Sequence, residues 1–293
     1  MSDILVIGGG VIGLLTAREL AAAGADVTLV EMGETGRESS WAGGGIISPL
    51  YPWRYDDSVT ALARWSQAVY PELCETLRDE SGIDPEYITT GMLILDEHEQ
   101  EDALAWAATH GAVVEIIDAD AARTYEPGLG LRPKSAMLLP ELAQVRNPRL
   151  TKALRRSIER EVRVREHEEV VELLVEQGRA AGARTRKETI HADKVVVCTG
   201  AWTAKLLEQL GTKPEIEPVR GQIMLFFANP GQVNHIVLFR ERYVIPRKDG
   251  RILIGSTLEH TGFLKTTTAE AKEELYRIAV EMFPLLRRTP IEN

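Results

Sequence analysis

The pattern of apolar and polar positions near the start of the chain predicts a strand, a helix and a second strand, in that order. Residues 3–7 form a short apolar run rich in Ile and Val, as in a strand buried on both faces of a parallel sheet. Apolar residues and Ala then recur at helical spacing over 11–23, and Gly24 ends that helix. A second strand is predicted over 26–31. The pattern therefore predicts a βαβ opening, whose crossover is right-handed almost without exception.

The rest of the chain mixes helical and strand-like patterns. Helices are predicted over 56–80, 97–109, 147–161, 201–210 and 268–282, and strands over 87–96, 112–117, 162–167, 169–176, 179–186, 193–198, 222–227, 242–246 and 251–255. In the first of these helices, one apolar stripe is predicted: Leu62, Trp65, Val69, Leu73 and Leu77. The order α/β, α+β, α/β and then β-rich predicts an α/β fold of two interleaved domains.

A glycine motif, Gly8-x-Gly10-x-x-Gly13, lies between the first strand and its helix. The first glycine permits a tight turn, the second lets the backbone approach a pyrophosphate, and the third lets helix and strand pack closely. The helix N-terminus offers free N–H groups and the positive end of the helix dipole to the phosphates. Glu31, at the end of the second strand, is placed to accept hydrogen bonds from a ribose hydroxyl. Together these features predict a dinucleotide site, for either NAD or FAD.

A loop of small residues after Glu31 distinguishes between NAD and FAD as the predicted cofactor. Ser39-Ser40-Trp41-Ala42-Gly43-Gly44-Gly45 lets a bulky tricyclic ring lie against the backbone, because only small residues allow that approach. The alternative interpretation is a flexible linker, but Trp41 and the apolar pair Ile46-Ile47 argue against it. The sequence therefore favours FAD, since NAD would leave this loop without a role.

Composition and charge restrict the class of protein further. The net charge of −10 argues against nucleic acid as a partner, because phosphate backbones require clustered Lys and Arg. Hydrophobic residues make up 44% of the chain, as in an ordinary globular enzyme, and no apolar stretch reaches the roughly 18 residues of a membrane helix. The two cysteines, Cys74 and Cys198, form no disulfide framework and favour a cytoplasmic location. No His spacing indicates a metal site.

The motifs taken together resemble those of the D-amino-acid oxidase superfamily. The glycine motif, Glu31 and the 39–45 loop carry the likeness, as do Val195-Val196-Val197-Cys198-Thr199-Gly200-Ala201-Trp202, Pro218-Val219-Arg220-Gly221-Gln222, Tyr243-Val244-Ile245-Pro246-Arg247 and Gly255-Ser256-Thr257. Within the superfamily, the chain is most similar to the glycine oxidases of thiamine biosynthesis. The likeness covers essentially the whole chain, and its motifs are more specific to the superfamily than to a substrate.

The resemblance implies an enzyme that uses FAD and oxygen to oxidise a small amino acid or amine, giving an imine or 2-oxo acid, ammonia and hydrogen peroxide. The residues implied to bind FAD are Gly8, Gly10, Val11, Ile12, Gly13, Glu31, Ser39, Ser40, Ala42, Gly43, Gly44, Gly45, Val170, Thr199 and Gly200. Val170 would meet the adenine through its backbone. Tyr243 matches the family tyrosine that lies over the flavin and helps to hold the substrate carboxylate. A homotetramer is also implied.

The resemblance also divides the chain into two domains. A discontinuous FAD-binding Rossmann-like domain is expected over 1–86 and 140–215, and an inserted α+β substrate domain over 87–139 and 216–293. In the family, an arginine that clamps the substrate carboxylate bidentately follows the last helix, so its counterpart is expected beyond Asn293. A truncated, non-catalytic nucleotide-binding fragment is therefore an alternative interpretation of the chain.

Several other interpretations stay open at this point. A sarcosine-type secondary-amine oxidase, or an amine dehydrogenase that passes electrons to a quinone, fits the same motifs. Tyr243 has an alternative role as a cross-strand aromatic residue without a ligand, and Val170 as an ordinary strand residue. Cys198 is expected to belong to the core. Arg220 and Arg247 are expected to form surface ion pairs.

Overall fold

A computed structural model describes residues 2–292 of the chain, so Asn293 lies outside the described residues. The chain divides into two compact units, the first of Met1–Gly43, Leu73–Pro85 and Asn147–Pro218, and the second of Gly44–Glu72, Glu86–Arg146 and Val219–Asn293. Each unit is built from separate stretches of the chain. The observed boundaries differ from the predicted ones chiefly in placing residues 44–72 and 140–146 in the second unit.

The helices and strands are named here in chain order within the described residues. The strands are β1 (Ser2–Ile7), β2 (Val27–Val30), β3 (Ile88–Thr89), β4 (Met92–Ile94), β5 (Glu115–Asp118), β6 (Ser135–Leu139), β7 (Ala143–Gln144), β8 (Val162–Arg165), β9 (Val170–Glu176), β10 (Arg179–Thr185), β11 (Thr189–Val197), β12 (Ile223–Phe227), β13 (Ile236–Phe239), β14 (Arg242–Pro246) and β15 (Arg251–Gly255). The α-helices are α1 (Val11–Ala22), α2 (Ser39–Ala42), α3 (Asp57–Ser81), α4 (Gln100–His110), α5 (Ala119–Tyr125), α6 (Asn147–Ser157), α7 (Thr203–Leu207) and α8 (Ala269–Met282). No helix in this part of the chain combines the length and the apolar character needed to cross a membrane.

The first unit is built on a six-stranded sheet with the strand order β8-β2-β1-β11-β10-β9. The strands β8, β2, β1 and β11 pair in parallel, whereas β10 and β9 are antiparallel additions. Leu5, Val6 and Leu29 are completely buried, which is why their strands read as continuous apolar runs. Because Ile7 pairs with both Val30 and Val197, the carboxyl ends of three strands meet at one edge of this sheet.

The second unit is built on a seven-stranded sheet with the order β12-β15-β14-β13-β4-β6-β5. Successive side chains of β14 alternate between two separate cores, as the pleat of a strand requires. Tyr243 and Ile245 belong to the core that contains Met92 and Ile94 of β4. Val244, between them, belongs to the core that α8 covers with residues such as Leu275. The face of the sheet that carries Tyr243 is therefore the face turned away from α8.

The structure adds two points about the elements that the sequence patterns did not reveal. The apolar stripe of α3 is not a buried stripe, because Leu62 and Trp65 are 71% and 69% exposed and only Leu77 at its far end is fully buried. The elements α2, β6, β7, β13 and α5 were not predicted. Each of them has two to seven residues, and a segment that short contains too few repeats for periodicity to identify it.

Glu126 is a fully buried carboxylate in the second unit. Its Oε1 atom accepts hydrogen bonds from the backbone amides of Asn234, at 2.7 Å, and His235, and lies 3.0 Å from Nδ1 of the His235 ring. Its Oε2 atom is buried and has no hydrogen-bond partner in the described part of the chain. The carboxylate thus holds the turn that leads into β13.

We expect Glu126→Ala to lower the free energy of unfolding by about 3 kcal/mol, because two backbone amides lose their acceptor. Urea denaturation measures this loss. Glu169→Ala, which breaks an exposed ion pair with Arg186, is the control and should leave the free energy of unfolding nearly unchanged. Equal losses in the two variants would contradict the role assigned to Glu126.

Candidate cofactor and active site

The turn between β1 and α1 leaves no space for a side chain at two of its glycines. A Cβ atom on Gly13 would lie 1.8 Å from the carbonyl oxygen of Gly8. A Cβ atom on Gly8, whose φ is +103°, would lie 2.4 Å from the carbonyl oxygen of Cys198. Gly13 therefore allows the start of α1 to pack closely against the end of β1, and Gly8 allows the turn to approach the Cys198 carbonyl.

The N-terminus of α1 suits an anionic group. Gly10 is the N-cap and supplies no side chain to cap the helix, and the first turn contains no acidic residue. The amide of Val11 donates to Oγ of Ser40 at 2.9 Å, and Ile12 is 65% exposed. The positive end of the helix dipole thus meets no carboxylate from the first turn of its own helix. Such a helix N-terminus favours a negatively charged group such as a diphosphate.

Glu31 is held beside this turn by two backbone amides. Its Oε2 atom accepts from Gly9 at 2.7 Å, and its Oε1 atom accepts from Gly33 at 2.9 Å. A carboxylate oxygen has a second acceptor position, so both atoms can still accept a hydrogen bond from a ribose hydroxyl. The amide of Glu168 donates to the Glu31 carbonyl oxygen at 2.9 Å, and Val170 follows two residues later at the start of β9. Val170 therefore lies two residues after a residue that is hydrogen-bonded to Glu31.

The segment after β11 lies beside the glycine turn. The amide of Cys198 donates to the carbonyl oxygen of Ile7 at 2.7 Å, and Thr199 and Gly200 follow it. The hydroxyl of Thr199 lies 3.0 Å from that of Thr203 at the start of α7. Cys198 is half-buried, and burial raises the pKa of its thiol. The thiol is therefore neutral near pH 7.

The small-residue loop is ordered in its first-unit part. Ser39–Ala42 forms α2, and the amide of Gly43 donates to the Ser39 carbonyl oxygen at 3.1 Å. The Trp41 ring lies under the guanidinium of Arg37, whose central carbon is 4.0 Å from the ring centre. These contacts do not fit the flexible-linker interpretation of the loop.

Glu166 is a residue of this region that the sequence did not reveal. Its Oε1 atom accepts from both the amide and the hydroxyl of Thr35, each at 2.7 Å. Burial raises the pKa of the Glu166 carboxyl, but the hydrogen bonds from Thr35 outweigh that effect and the pKa is lowered overall. No local signal marks the pair, because the two residues are 131 positions apart and meet only in the folded unit.

In the second unit, Tyr243 lies between two glycines. A Cβ atom on Gly44 would lie 3.2 Å from one carbon of the Tyr243 ring, and a Cβ atom on Gly255 would lie 2.7 Å from the phenol oxygen. Gly255 is also the direct cross-strand partner of Tyr243. Both the cross-strand role and the contact with the small-residue loop are therefore present. We call this arrangement of Gly44, Tyr243 and Gly255 the tyrosine slot.

The phenol of Tyr243 is a hydrogen-bond donor near neutral pH. Only 7% of the residue is exposed, and this burial raises the pKa of the phenol. Interaction with the Ser256 side chain and the positive charge of Arg247 oppose the rise only in part. A buried neutral phenol can donate to a carboxylate without first giving up its proton.

The prediction of surface ion pairs for Arg220 and Arg247 is wrong in its main point. Arg247 is 8% exposed, and its hydrogen bonds go to neutral acceptors rather than to a carboxylate. Arg220 does pair with Glu259, but its side chain is only 12% exposed. The Arg220 guanidinium, with Thr257 and Gln222, holds the pKa of Glu259 at about 2. Residue type alone does not distinguish a buried arginine from an exposed one.

The sequence profile of the family described as FAD dependent oxidoreductase (DAO) matches residues 3–292. The chain belongs to this family. It is therefore an FAD-dependent oxidoreductase, and the predicted cofactor and α/β fold class are confirmed. Within the described residues, no group of three or more His, Cys, Asp or Glu side chains has the arrangement of a metal site.

Two bacterial glycine oxidases and one solved structure show how far the similarity extends. The oxidoreductase is 49% identical to glycine oxidase of Pseudomonas aeruginosa over 285 residues, which cover 97% of this chain and 78% of that protein. It is 48% identical to glycine oxidase of Pseudomonas putida over 286 residues, with the same coverage. The crystal structure of glycine oxidase from Geobacillus kaustophilus superposes with a TM-score of 0.93 at 27% identity, covering 100% of this chain and 80% of that one.

Proposed function

We propose that this oxidoreductase oxidises the amine of a small amino acid, with glycine as the first candidate and oxygen as the electron acceptor. The products would be an imine, which hydrolyses to a 2-oxo acid and ammonia, and hydrogen peroxide. Similarity to two glycine oxidases supports the reaction class. Within the structure, the observation that carries the proposal is the tyrosine slot, which holds a buried and neutral phenol beside the small-residue loop.

In this proposal the first unit binds the nucleotide part of FAD. The N-terminus of α1, formed by Gly10, Val11 and Ile12, holds the diphosphate, and Glu31 accepts from the adenosine ribose. The backbone of Val170 meets the adenine, while Thr199 and Gly200 line the same half of the cofactor. The packed glycine turn and the absence of an acid in the first turn of α1 support these assignments.

The remaining predicted residues serve the flavin end. Among these residues, Ser39, Ser40, Ala42 and Gly43 belong to the first unit, and Gly44 and Gly45 belong to the second. Bound FAD supplies the hydride acceptor for the α-carbon of the substrate. Tyr243 donates a hydrogen bond to the substrate carboxylate and thereby orients the amino acid. The proposal places no strong base on this chain, because an amine that binds in its neutral form has no proton to lose before oxidation.

The visible absorption spectrum of the purified chain, before and after anaerobic addition of glycine, tests the proposal. Flavin bands that glycine bleaches are the expected result. Flavin bands that no small amino acid bleaches would remove the proposed substrate class. Failure to bind FAD after incubation with the cofactor would instead favour the non-catalytic fragment.

A second assay separates the proposed reaction from the two enzymatic alternatives. Oxygen uptake with peroxide release is expected of the oxidase, whereas reduction of a dye without peroxide would indicate an amine dehydrogenase. Faster turnover of sarcosine than of glycine would indicate a secondary-amine oxidase. Both substrates can be compared in the same oxygen-electrode experiment.

Tyr243→Phe is expected to raise the KM for glycine about tenfold, because the substrate carboxylate loses one charge-assisted hydrogen bond. Steady-state kinetics of the FAD-loaded protein measure this change. The control is Tyr276→Phe, which removes a hydroxyl on α8 that donates to the Arg287 carbonyl oxygen at 3.4 Å. An unchanged KM and kcat in Tyr243→Phe would remove Tyr243 from the substrate site.

A further inference from the structure

Arg247 is a buried cation directly after β14, and its hydrogen bonds within the described part of the chain go to neutral acceptors. One terminal nitrogen donates to Oε1 of Gln144 at 2.6 Å and to the carbonyl oxygen of Val145 at 3.0 Å. The other terminal nitrogen donates to the carbonyl oxygen of Gly44 at 2.7 Å. Burial, and then the charge of Arg146, lowers the pKa of Arg247 to about 10, so the guanidinium is still charged at neutral pH.

Burial of such a group is costly unless it is hydrogen-bonded. A surface arginine would normally find a carboxylate, and two carboxylates, Glu86 and Asp249, do lie in the vicinity. Both of them form ion pairs with Arg146 instead. Arg247 therefore holds two backbone carbonyl groups and one amide side chain in place, rather than a carboxylate.

The acceptors of Arg247 belong to two segments that already lie side by side. The amide of Val145 donates to the Gly45 carbonyl oxygen at 2.9 Å, and the amide of Ile47 donates to the Ala143 carbonyl oxygen at 3.0 Å. Residues 45–47, at the end of the small-residue loop and just after it, thus lie along β7 like an additional short strand. Arg247 joins the two segments at one end of this pairing, because its guanidinium donates to the Gly44 carbonyl oxygen on one segment and to the Val145 carbonyl oxygen on the other.

Gln144 fixes the position of Arg247 in turn. Its Nε2 atom donates to the carbonyl oxygen of Pro246 at 2.9 Å, while its Oε1 atom accepts from Arg247. Both ends of the amide are therefore bonded to the last residues of the segment that carries Tyr243. With every contact directional, the guanidinium has one favourable orientation rather than several.

The Gly44 peptide, whose carbonyl oxygen accepts from Arg247, forms one side of the tyrosine slot. A Cβ atom on Gly44 would lie 3.2 and 3.3 Å from two carbons of the Tyr243 ring, and 2.8 Å from Cδ1 of Ile245. The Gly44 backbone is thus in close contact with the face of β14 that bears Tyr243. If the Gly44 carbonyl were released, the loop could move away and the ring would lose that support.

We propose that Arg247 is a positioning residue that holds the Gly44 peptide against the Tyr243 ring and thereby sets the place of the Tyr243 hydroxyl. The inference rests on the proposed function for its catalytic consequence. Its geometric part, the coupling of Arg247 to Tyr243, can be measured without cofactor or substrate. The proposed function and the coupling of Arg247 to Tyr243 can therefore be contradicted separately.

The experiment labels the full chain with 3-fluorotyrosine and records ¹⁹F NMR spectra of its seven tyrosines. Tyr243→Phe assigns the Tyr243 resonance by its disappearance. Arg247→Met, which keeps most of the side-chain volume and removes every donor, should shift or broaden that resonance and leave distant tyrosines unchanged. The matched control is Arg242→Met, on the same strand, whose guanidinium pairs with Glu274 of α8.

The functional arm uses the FAD-loaded protein and glycolate, the hydroxy analogue of glycine, as a carboxylate probe. Arg247→Met should weaken glycolate binding, read from the flavin spectrum, about tenfold, as expected for loss of one well-placed hydrogen bond. In a Tyr243→Phe background the same substitution should have little further effect, because Arg247 acts through Tyr243.

An unchanged Tyr243 resonance in Arg247→Met would overturn the inference, as would effects on glycolate binding that simply add to those of Tyr243→Phe. If Arg247→Met does not fold, Arg247→Lys takes its place under the same criteria. Lysine keeps the charge but cannot reproduce the fork of donors, so a shifted resonance then reports geometry rather than charge. A wild-type chain that glycine does not bleach would remove the proposed function, and the NMR result would still decide the coupling.

Discussion

Replacing Gly13 with alanine is expected to abolish tight FAD binding and to destabilise the first unit by several kcal/mol. The added methyl group would lie 1.8 Å from the carbonyl oxygen of Gly8, and that atom is backbone, so no side chain can rotate to relieve the overlap. The start of α1 must move away from β1, which separates the helix N-terminus from the turn that forms the diphosphate site. Overpacking of this kind typically costs about 1–3 kcal/mol or more.

Isothermal titration with FAD and urea denaturation measure the two effects of Gly13→Ala. Gly24→Ala is the matched control, because it lies at the other end of the same helix, where a Cβ atom would meet nothing within 4 Å. Its φ of +89° still costs about 1 kcal/mol, but FAD affinity should be preserved. Wild-type affinity in Gly13→Ala would show that the diphosphate does not depend on this turn.

Replacing Gly255 with alanine is expected to lower kcat/KM for glycine about a hundredfold, because a displacement of a substrate-orienting group by about 1 Å has effects of that size. The new methyl group would lie 2.7 Å from the phenol oxygen of Tyr243 and 2.8 Å from two ring carbons. These atoms are the far end of a side chain, so the ring moves rather than the strand. The tyrosine slot would be filled from the β15 side.

Steady-state kinetics and thermal denaturation separate this displacement from a general loss of structure. Gly262→Ala, in the same unit and with open space around its Cβ position, is the control for stability. Gly255→Ala should have little additional effect once Tyr243→Phe has removed the hydroxyl. A large loss of activity that persists in that background would show that Gly255 acts on something other than Tyr243.

The exposed stripe of α3 shows where sequence patterning is insufficient. Periodicity correctly predicts a helix here, because the apolar residues recur at helical spacing. It does not show whether a partner covers the stripe, and Leu62 and Trp65 remain exposed. Burial depends on what packs against a helix, and that depends on the rest of the fold.

Local chemistry explains what could be predicted from the sequence alone. The βαβ opening follows from two buried apolar strands around a helix, and the steric need for Gly8 and Gly13 follows from the tight turn between them. The place of Glu31 follows from its position at the end of β2, since parallel strands bring their carboxyl ends to one edge. These features depend on neighbours within about thirty residues, so the pattern of residue types suffices to predict them.

Only the tertiary structure shows how distant residues combine. Thr35 meets Glu166 across 131 positions, and Gly44 meets Arg247 across 203. Arg247 looks like any surface arginine in the sequence, and its burial depends on Gln144 and Val145 arriving from another part of the chain. Residue type determines which interactions a side chain can make, but the packing of separate segments decides which partners are within hydrogen-bond distance. For that reason the glycine turn was predictable from the sequence, whereas the tyrosine slot and the role of Arg247 beside it were not.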